Sequence, residues 1–159
     1  MAKATDLQLA VALKELIGNS YVMYLRAHGA HWNVEGPLFH SLHDFFGKIA
    51  ADVYEPIDIF AESLRQHEFY APYTLSHLVK LSTIPDIMLP GGQPTPLIQD
   101  LIGVNGTVME SLAKVKSQAE RVSPVDDGLV NHIEERRAAH LKWDWQLKAH
   151  LKTFNTDSH

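Results

Sequence analysis

Apolar side chains recur every three or four positions along most of the chain, which is the spacing of one buried helix face. The first stripe predicts a helix from about Asp6, its expected N-cap, to His31, where the turn sequence NVEGP follows. A second stripe predicts a helix over residues 38–64, which Pro56 should kink or divide because proline lacks a backbone N–H. The apolar positions of the first stripe are Leu9, Leu13, Leu16, Ile17, Tyr21, Tyr24 and Leu25.

A long connection separates these two helices from two more. Residues 68–96 contain five prolines and one short candidate helix, TLSHLVKL, and a connection of this length usually has a topological or functional reason. Further stripes predict helices over about 96–122 and 129–151, the last with a more polar face that meets solvent, a cavity or another subunit. Four long helices without a strand candidate indicate an all-α, ferritin-like four-helix bundle, with the short helix in the crossover between helices 2 and 3. We expect residues 1–159 to form one such domain.

Composition narrows the classes of function. The 159 residues are 45% hydrophobic and 21% charged, carry a formal net charge of −5 and include no cysteine. Thiolate metal sites, disulfides and cysteine nucleophiles are therefore excluded, and the acidic balance disfavours a broad nucleic-acid-binding face. The N-terminus lacks a signal-peptide pattern, and no stretch reaches the ~18 apolar residues of a membrane span, so a cytoplasmic location is expected.

Histidines are concentrated around the first predicted turn. Four of the ten lie in HGAHWNVEGPLFHSLH, residues 28–43, and a tight hairpin there would bring His31 and His43 together. Farther along the second helix, Asp58 and Glu62 share one helix face. Two imidazoles and two carboxylates suit Fe(II), Zn(II) or Mn(II). Taken singly, an acid pair at this spacing is most often solvated surface, and a lone histidine near a helix end is most often hydrogen-bonded.

The spacing of these four residues bears on the oligomeric state. His43 and Asp58 are fifteen positions apart, or about 22 Å along a continuous helix. One chain cannot bring them to one ion unless the break at Pro56 folds the helix back. Two chains about a twofold axis would form two sites, each with histidines from one chain and carboxylates from the other. Motifs for a di-iron site inside the bundle, a serine triad or a phosphate loop are absent from the sequence.

The stretch HGAHWNVEGPLFHSLHDFF, continued by EPIDIFAESLR, resembles the Dps-type miniferritins (DNA-binding proteins from starved cells). Its motif consists of His31, His43, Asp58 and Glu62, and the helix order extends the resemblance over nearly the whole chain. The resemblance implies a hollow dodecamer whose ferroxidase centres, between twofold-related subunits, bind Fe(II) through these residues. Iron would be oxidised there, preferentially by hydrogen peroxide rather than O2, and stored as ferric mineral, which protects against oxidative stress.

One departure from the family concerns the second iron position. The family commonly has an aspartate four residues after the second histidine, where this chain has Gly47. We expect a weak second position unless water or Asp44 replaces that carboxylate. The alternative function is a metal-binding structural or storage shell with little ferroxidase activity, in which zinc or manganese is the resident ion.

A second departure concerns DNA. Family members that bind DNA usually use mobile tails rich in lysine or arginine. Before the first predicted helix this chain offers only Lys3 and the α-amino group, and its last residues, TFNTDSH, are nearly uncharged. Counterion release would then contribute little, so we expect no strong DNA binding at physiological salt.

Two residues beside the motif have two interpretations each. Trp32 matches a family tryptophan near the centre, and interception of radicals and packing as an interface aromatic are equally weighted interpretations. His28 precedes His31 by one helical turn and either supports it through a hydrogen bond or, as we favour, packs or faces solvent.

Acidic residues open the last predicted helix. Helix capping and interaction with the helix dipole account for Asp126 and Asp127. In the shells that the chain resembles, however, this region lines threefold pores through which Fe(II) enters. A ring of carboxylates there would concentrate cations, so Asp127 is the expected pore residue, followed by Asp126 and Glu134.

Overall fold

The computed structural model describes residues 3–153, which form helices and loops without a strand. The helices are α1 (Ala4–Asn33), α2 (Phe39–Tyr54), α3 (Ile57–Gln66), α4 (Leu75–Leu81), α5 (Pro94–Ala119) and α6 (Asp127–His150). The two residues between α2 and α3, Glu55 and Pro56, both keep right-handed helical backbone angles. Helices α2 and α3 therefore act as one long, divided member of the bundle. The all-α bundle with a short helix in its crossover is confirmed.

The core lies between α1 and its neighbours. Helix α1 packs against α2, α3, α4 and α5, and α5 packs against α6. The first four positions of the predicted α1 stripe, from Leu9 to Ile17, are fully buried, as an amphipathic helix requires. Leu25 departs from the pattern, because it is 48% exposed. Among residues 3–153, no helix is long and apolar enough to cross a membrane.

The start of α1 differs from the prediction. Asp6 is not the N-cap, because the helix already begins at Ala4 and Asp6 lies in its first turn. Its carboxylate still interacts favourably with the positive end of the helix dipole. Lys3 Nζ donates a hydrogen bond to the Ser123 carbonyl, 3.0 Å away. The α-amino group and residues 154–159 of the tail, on which the DNA prediction also rests, lie outside the described residues.

The Asn19 side chain connects the crossover to the bundle through hydrogen bonds. Its side-chain nitrogen donates to Thr83 Oγ1 at 3.1 Å and to Ser111 Oγ at 2.7 Å. Its side-chain oxygen accepts from Ser82 Oγ and from the Thr83 backbone N–H, both at 2.8 Å. Gly18 permits this close packing, since a Cβ there would lie 2.8 Å from backbone atoms at the end of α4. One buried amide thus joins α1, α5 and the crossover.

The end of the crossover docks on the turn between α1 and α2. The Glu35 backbone N–H donates to the Gly92 carbonyl at 2.8 Å. A Cβ on Gly92 would overlap the Asn33 carbonyl oxygen, so this position requires glycine. Gly36, with φ of +102°, lets the chain reverse into α2. The glycine pair in PGGQP therefore supports the hairpin that carries the histidines.

Several polar side chains of α6 turn inward and are paired there. Arg136 forms two hydrogen bonds with Asp52, at 3.1 and 2.8 Å, and Trp143 Nε1 donates to the same carboxylate at 2.7 Å. Burial raises the pKa of Asp52, but the hydrogen bonds from Arg136 and Trp143 outweigh burial and leave that pKa lowered. His140 is buried, and its Nδ1 lies 2.7 Å from Asn105 Oδ1. These polar pairs act together with the buried Leu129, Ile133 and Leu147 to attach this helix.

Candidate metal centre

His31, near the end of α1, and His43, near the start of α2, lie face to face. Their ring centroids are 3.7 Å apart and the ring planes differ by 20°. Nδ1 of His31 lies 2.5 Å from the His43 carbonyl oxygen, and Nδ1 of His43 lies 2.7 Å from the His31 carbonyl oxygen. A carbonyl oxygen only accepts, so each Nδ1 donates a proton and each Nε2 keeps its lone pair. A ring held by a carbonyl through one nitrogen is the usual arrangement of a metal-binding histidine.

Gly47 determines how closely the rings pack. A Cβ at this position would lie 2.9 Å from His31 Nδ1 and 3.1 Å from His31 Cε1. The His31 ring therefore fills the space in which a side chain at position 47 would begin. Asp44 is exposed and pairs with Lys48 at 2.7 Å, and this hydrogen bond lowers the pKa of Asp44. Its carboxylate is thus engaged at the surface rather than beside the histidine pair.

His28 and Trp32 flank the histidine pair. His31 Nδ1 already donates to the His43 carbonyl, so His28 contacts the pair only through its ring, 5.6 Å from that of His31. Nδ1 of His28 lies 3.2 Å from the Tyr24 hydroxyl, and its ring packs at 4.1 Å on Trp32. Trp32 itself is 61% exposed.

Asp58 and Glu62 lie on α3, one helical turn apart, and both are exposed. The break at Pro56 does not reverse the helix, so the separation of about 22 Å from His43 remains. Within residues 3–153, no three histidine, aspartate or glutamate side chains are close enough to hold a metal ion. One chain thus brings together the two histidines, and separately carries the two carboxylates.

Exposed apolar side chains lie next to both half-sites, the histidine half-site of His31 and His43 and the carboxylate half-site of Asp58 and Glu62. Phe39 packs against the His43 ring at 5.0 Å, Trp32 follows His31, and Ile59 follows Asp58. These residues are between 43% and 61% exposed, and we call the set the apolar rim: Leu25, Trp32, Phe39, Tyr54 and Ile59. Large apolar side chains left exposed beside candidate ligands are typical of a protein–protein contact.

The acidic residues at the start of α6 have different surroundings. Asp126 caps the helix, accepting from the Leu129 N–H at 3.0 Å, and its other oxygen lies 3.0 Å from His67 Nε2. Asp127 is exposed and, within the described part of the chain, forms no ion pair. Sequence reasoning missed the His67 contact, because the two residues are 59 positions apart and no local pattern joins them.

Glu134, the remaining acidic residue expected at the pore, lies farther along α6. It pairs with Arg137 at 3.1 Å and with Lys116 at 3.7 Å. Its charge is thus partly offset within the chain, which distinguishes Glu134 from Asp127.

The fold places the chain in the ferritin-like class of helical bundles. A sequence model of the ferritin-like domain matches residues 10–156, so the chain belongs to that family. Relatives named DNA protection during starvation protein include one from Deinococcus radiodurans, 28% identical over 98% of this chain, and one from Helicobacter pylori, 24% identical over 87%. The chain spans 64% of the first relative's length and 95% of the second's.

Solved structures show the same fold. Dps from Vibrio cholerae has a TM-score of 0.87 at 24% identity and covers 96% of this chain and 98% of its own. Dps from Thermosynechococcus elongatus has a TM-score of 0.88 at 23% identity and covers 99% and 100%. Likeness at this identity shows the fold alone. Together with the named relatives, it confirms the similarity to Dps-type miniferritins.

Proposed function

We propose that the protein is a single-domain miniferritin that binds Fe(II), oxidises it and stores ferric iron in a hollow shell, with protection against oxidative damage as the result. The observation that carries this proposal is the reciprocal pairing of His31 and His43. Two carbonyls fix both imidazoles with the Nε2 lone pair available, which is the state that a metal requires. Membership of the ferritin-like family supports iron as the metal.

The remaining ligands come from a second chain. Asp58 and Glu62 are exposed on their own chain and too far from its histidines to share an ion. A twofold contact through the apolar rim brings the carboxylates of one chain to the histidines of the other and creates two sites per dimer. Six such dimers make the proposed dodecamer.

The mixed ligand set suits both oxidation states. Carboxylates are hard anionic ligands that stabilise Fe(III), and imidazoles retain Fe(II). Hydrogen peroxide takes two electrons from two Fe(II) and, with two protons, becomes two waters; O2 is the less favoured oxidant. Consuming iron and peroxide together removes the reactants that generate hydroxyl radicals. Zn(II) and Mn(II) compete for the same donors.

Fe(II) enters through threefold pores in this proposal. Asp127 is the leading pore residue. Asp126 already caps α6 and contacts His67, and Glu134 already pairs with Arg137. An exposed carboxylate repeated by symmetry attracts cations over a longer range than one neutralised within its own chain.

A second candidate function follows from Gly47. The His31 ring occupies the space of a side chain at this position, so the chain lacks a carboxylate there and cannot gain one without moving the ring. A site with only one well-formed metal position would retain metal and join two chains without oxidising Fe(II) rapidly. The protein would then be a structural or storage shell, with zinc or manganese as its resident ion.

Anaerobic loading with Fe(II), followed by peroxide, distinguishes the two functions. Ferric absorbance should rise rapidly in the native protein and at the protein-free rate in a His31→Ala/His43→Ala variant. Asp44→Ala is the matched control, since Asp44 is an acid beside the site that is paired elsewhere. Metal retention without faster oxidation in the native protein would favour the structural shell.

A further inference from the structure

A cavity between α3 and α6 extends to the carboxylate half-site. Its volume is about 220 Å³, and its walls include Glu62, Gln66, Asp126 and His132. Glu62 and Gln66 are one helical turn apart on α3, whereas Asp126 is the cap of α6 and His132 lies in the second turn of that helix. Glu62, a proposed ligand of the interchain metal centre, therefore also lines a cavity formed by its own chain.

His132 contributes an unpaired nitrogen atom beside this cavity. Its imidazole is partly buried, and the ring centroid lies 5.7 Å from that of Phe60. Nε2 of His132 is buried and has no hydrogen-bond partner within residues 3–153. Three buried side-chain atoms of the described residues lack a partner, and His132 supplies the only imidazole among them. An unpaired buried polar atom is costly, and a functional role as a ligand is one reason for which proteins retain it.

The chemistry of peroxide requires more donors than the interchain centre has been given so far. The four proposed ligands suffice for one metal ion. Hydrogen peroxide takes two electrons and Fe(II) gives one, so complete reduction at one centre needs two ions side by side. The histidine half-site offers no further donor, because Gly47 has no side chain and Asp44 is paired with Lys48. A further ligand must therefore come from the carboxylate side of the interface.

We propose that His132 is a ligand of a second Fe(II) at each interchain centre, which it binds together with Glu62 of the same chain. The inference rests on the proposed ferroxidase function. A carboxylate has two oxygen atoms, so one oxygen of Glu62 binds the ion held by the histidine pair and the other binds the second ion. The mixed imidazole and carboxylate donors suit iron in both oxidation states. His132 thus supplies the donor that the chain lacks at Gly47.

The surroundings of these two ligands predict that the second ion binds more weakly than the first. Glu62 is exposed and, among the described residues, forms no ion pair, so its carboxylate is free to turn between the two ions. Within residues 3–153, no third histidine or carboxylate is close enough to complete a metal site in one chain. Solvent therefore fills the remaining coordination positions, as it does in open catalytic metal sites. Two binding events of different affinity are the expected result.

A second Fe(II) beside the first changes the products of the reaction with peroxide. With two ions, each Fe(II) gives one electron, the O–O bond breaks, and two protons from solvent complete two waters. With one ion, a single electron breaks the O–O bond into a hydroxide ion and a hydroxyl radical. His132 therefore determines how much hydroxyl radical the centre releases as well as how many ions it binds.

Anaerobic calorimetric titration with Fe(II) tests the ligand role without any oxidation. The native protein should bind two Fe(II) per chain with two separable affinities. His132→Gln keeps a polar side chain without the imidazole and should weaken the second event by about tenfold or more, with the first unchanged. His77→Gln is the matched control, because His77 is exposed on α4. An unchanged second event in His132→Gln, or only one Fe(II) bound per chain of native protein, would overturn the proposal.

Chemical rescue distinguishes a ligand from a residue that only packs. Mössbauer spectra of anaerobic protein loaded with isotopically enriched Fe(II) should show two ferrous components in the native protein and one in His132→Ala. Added imidazole can enter the space left in His132→Ala and bind the second ion, so the second component should return. Glu62→Ala, which lacks the shared carboxylate, should not be rescued. Loss of the second component in His132→Ala without recovery by imidazole would assign His132 a packing role and reject the proposal.

Peroxide added to the Fe(II)-loaded protein separates failure of this ligand from failure of the proposed function. A spin trap should capture several-fold more hydroxyl radical from His132→Gln than from His77→Gln. Rapid iron oxidation with binding and radical release that do not depend on His132 would leave the ferroxidase standing and reject the ligand. Binding of a second Fe(II) that depends on His132, in a native protein that does not accelerate oxidation, would reject the function and retain the two-ion site.

Discussion

The ring of His31 lies where a side chain on Gly47 would begin, with Nδ1 only 2.9 Å from the position of a Cβ. The absence of a side chain at 47 and the stacking of the two imidazoles are therefore one structural feature. Gly47→Ala should push the His31 ring off the His43 carbonyl and weaken Fe(II) binding at least several-fold. Anaerobic calorimetric titration with Fe(II) measures this directly.

A helical glycine elsewhere provides the control for that experiment. At Gly103, on α5, a Cβ would meet nothing within 4 Å. Gly103→Ala should leave Fe(II) binding unchanged and stabilise the fold by about 0.5–1 kcal/mol, since alanine is the better helix former. If Gly47→Ala binds Fe(II) as tightly as Gly103→Ala, the ring packing has no part in the site.

The helices and the proximity of His31 and His43 could be predicted from local patterns. Apolar periodicity fixes the helices, and the short turn between α1 and α2 brings the two histidines together. The carbonyl partners of these rings could not be predicted, since they depend on the detailed path of the turn. Contacts over long sequence separations, such as Asn19 with Ser111, leave no periodic signal either. One face of α6 was predicted to meet solvent, a cavity or another subunit, and Glu134 and Trp145 are exposed there, but the inward pairing of Arg136 with Asp52 was not predicted.

Complementation between chains tests the shared site. His31→Ala/His43→Ala chains and Asp58→Ala/Glu62→Ala chains should each be inactive alone. After unfolding and reassembly of an equal mixture, half of the dimers are hybrids, and each hybrid has one intact site of two. About one quarter of native activity should therefore return. Mass spectrometry confirms mixing, and no recovery in mixed shells would exclude ligands shared between chains.

Gly92 should influence the metal site from a distance. Its contact with the α1–α2 turn leaves no room for a Cβ beside the Asn33 carbonyl. Gly92→Ala should cost about 1–3 kcal/mol of stability, as overpacking does, and should also reduce Fe(II) affinity, because the displaced turn carries both histidines. Thermal denaturation and Fe(II) titration measure the two effects. Gly106→Ala, with open space around its Cβ, is the control; equal behaviour of the two variants would contradict the docking role.

DNA binding should be weak despite the names of the relatives. Lys3 is engaged with the Ser123 carbonyl, and the chain carries a net charge of −5. With few cations available to displace counterions from DNA, affinity should be low and fall further as salt rises. Gel shifts over a salt series should show no retained complex at physiological salt. A tight complex there would indicate a cationic surface formed by the assembly.

Buried His140 should make stability depend on pH. Burial, aided by the positive charge of Arg136, lowers the pKa of His140 from 6.5 to about 4. Between these values the unfolded chain binds a proton that the folded chain does not, so stability falls as pH drops from 6.5 towards 4. The full loss is roughly 3 kcal/mol below that window, and none is expected above it. Thermal denaturation from neutral to acidic pH should show a shallower dependence in His140→Gln than in the native protein. The exposed His40→Gln variant should keep the native dependence, and an identical slope in His140→Gln would show that other groups cause the acid instability.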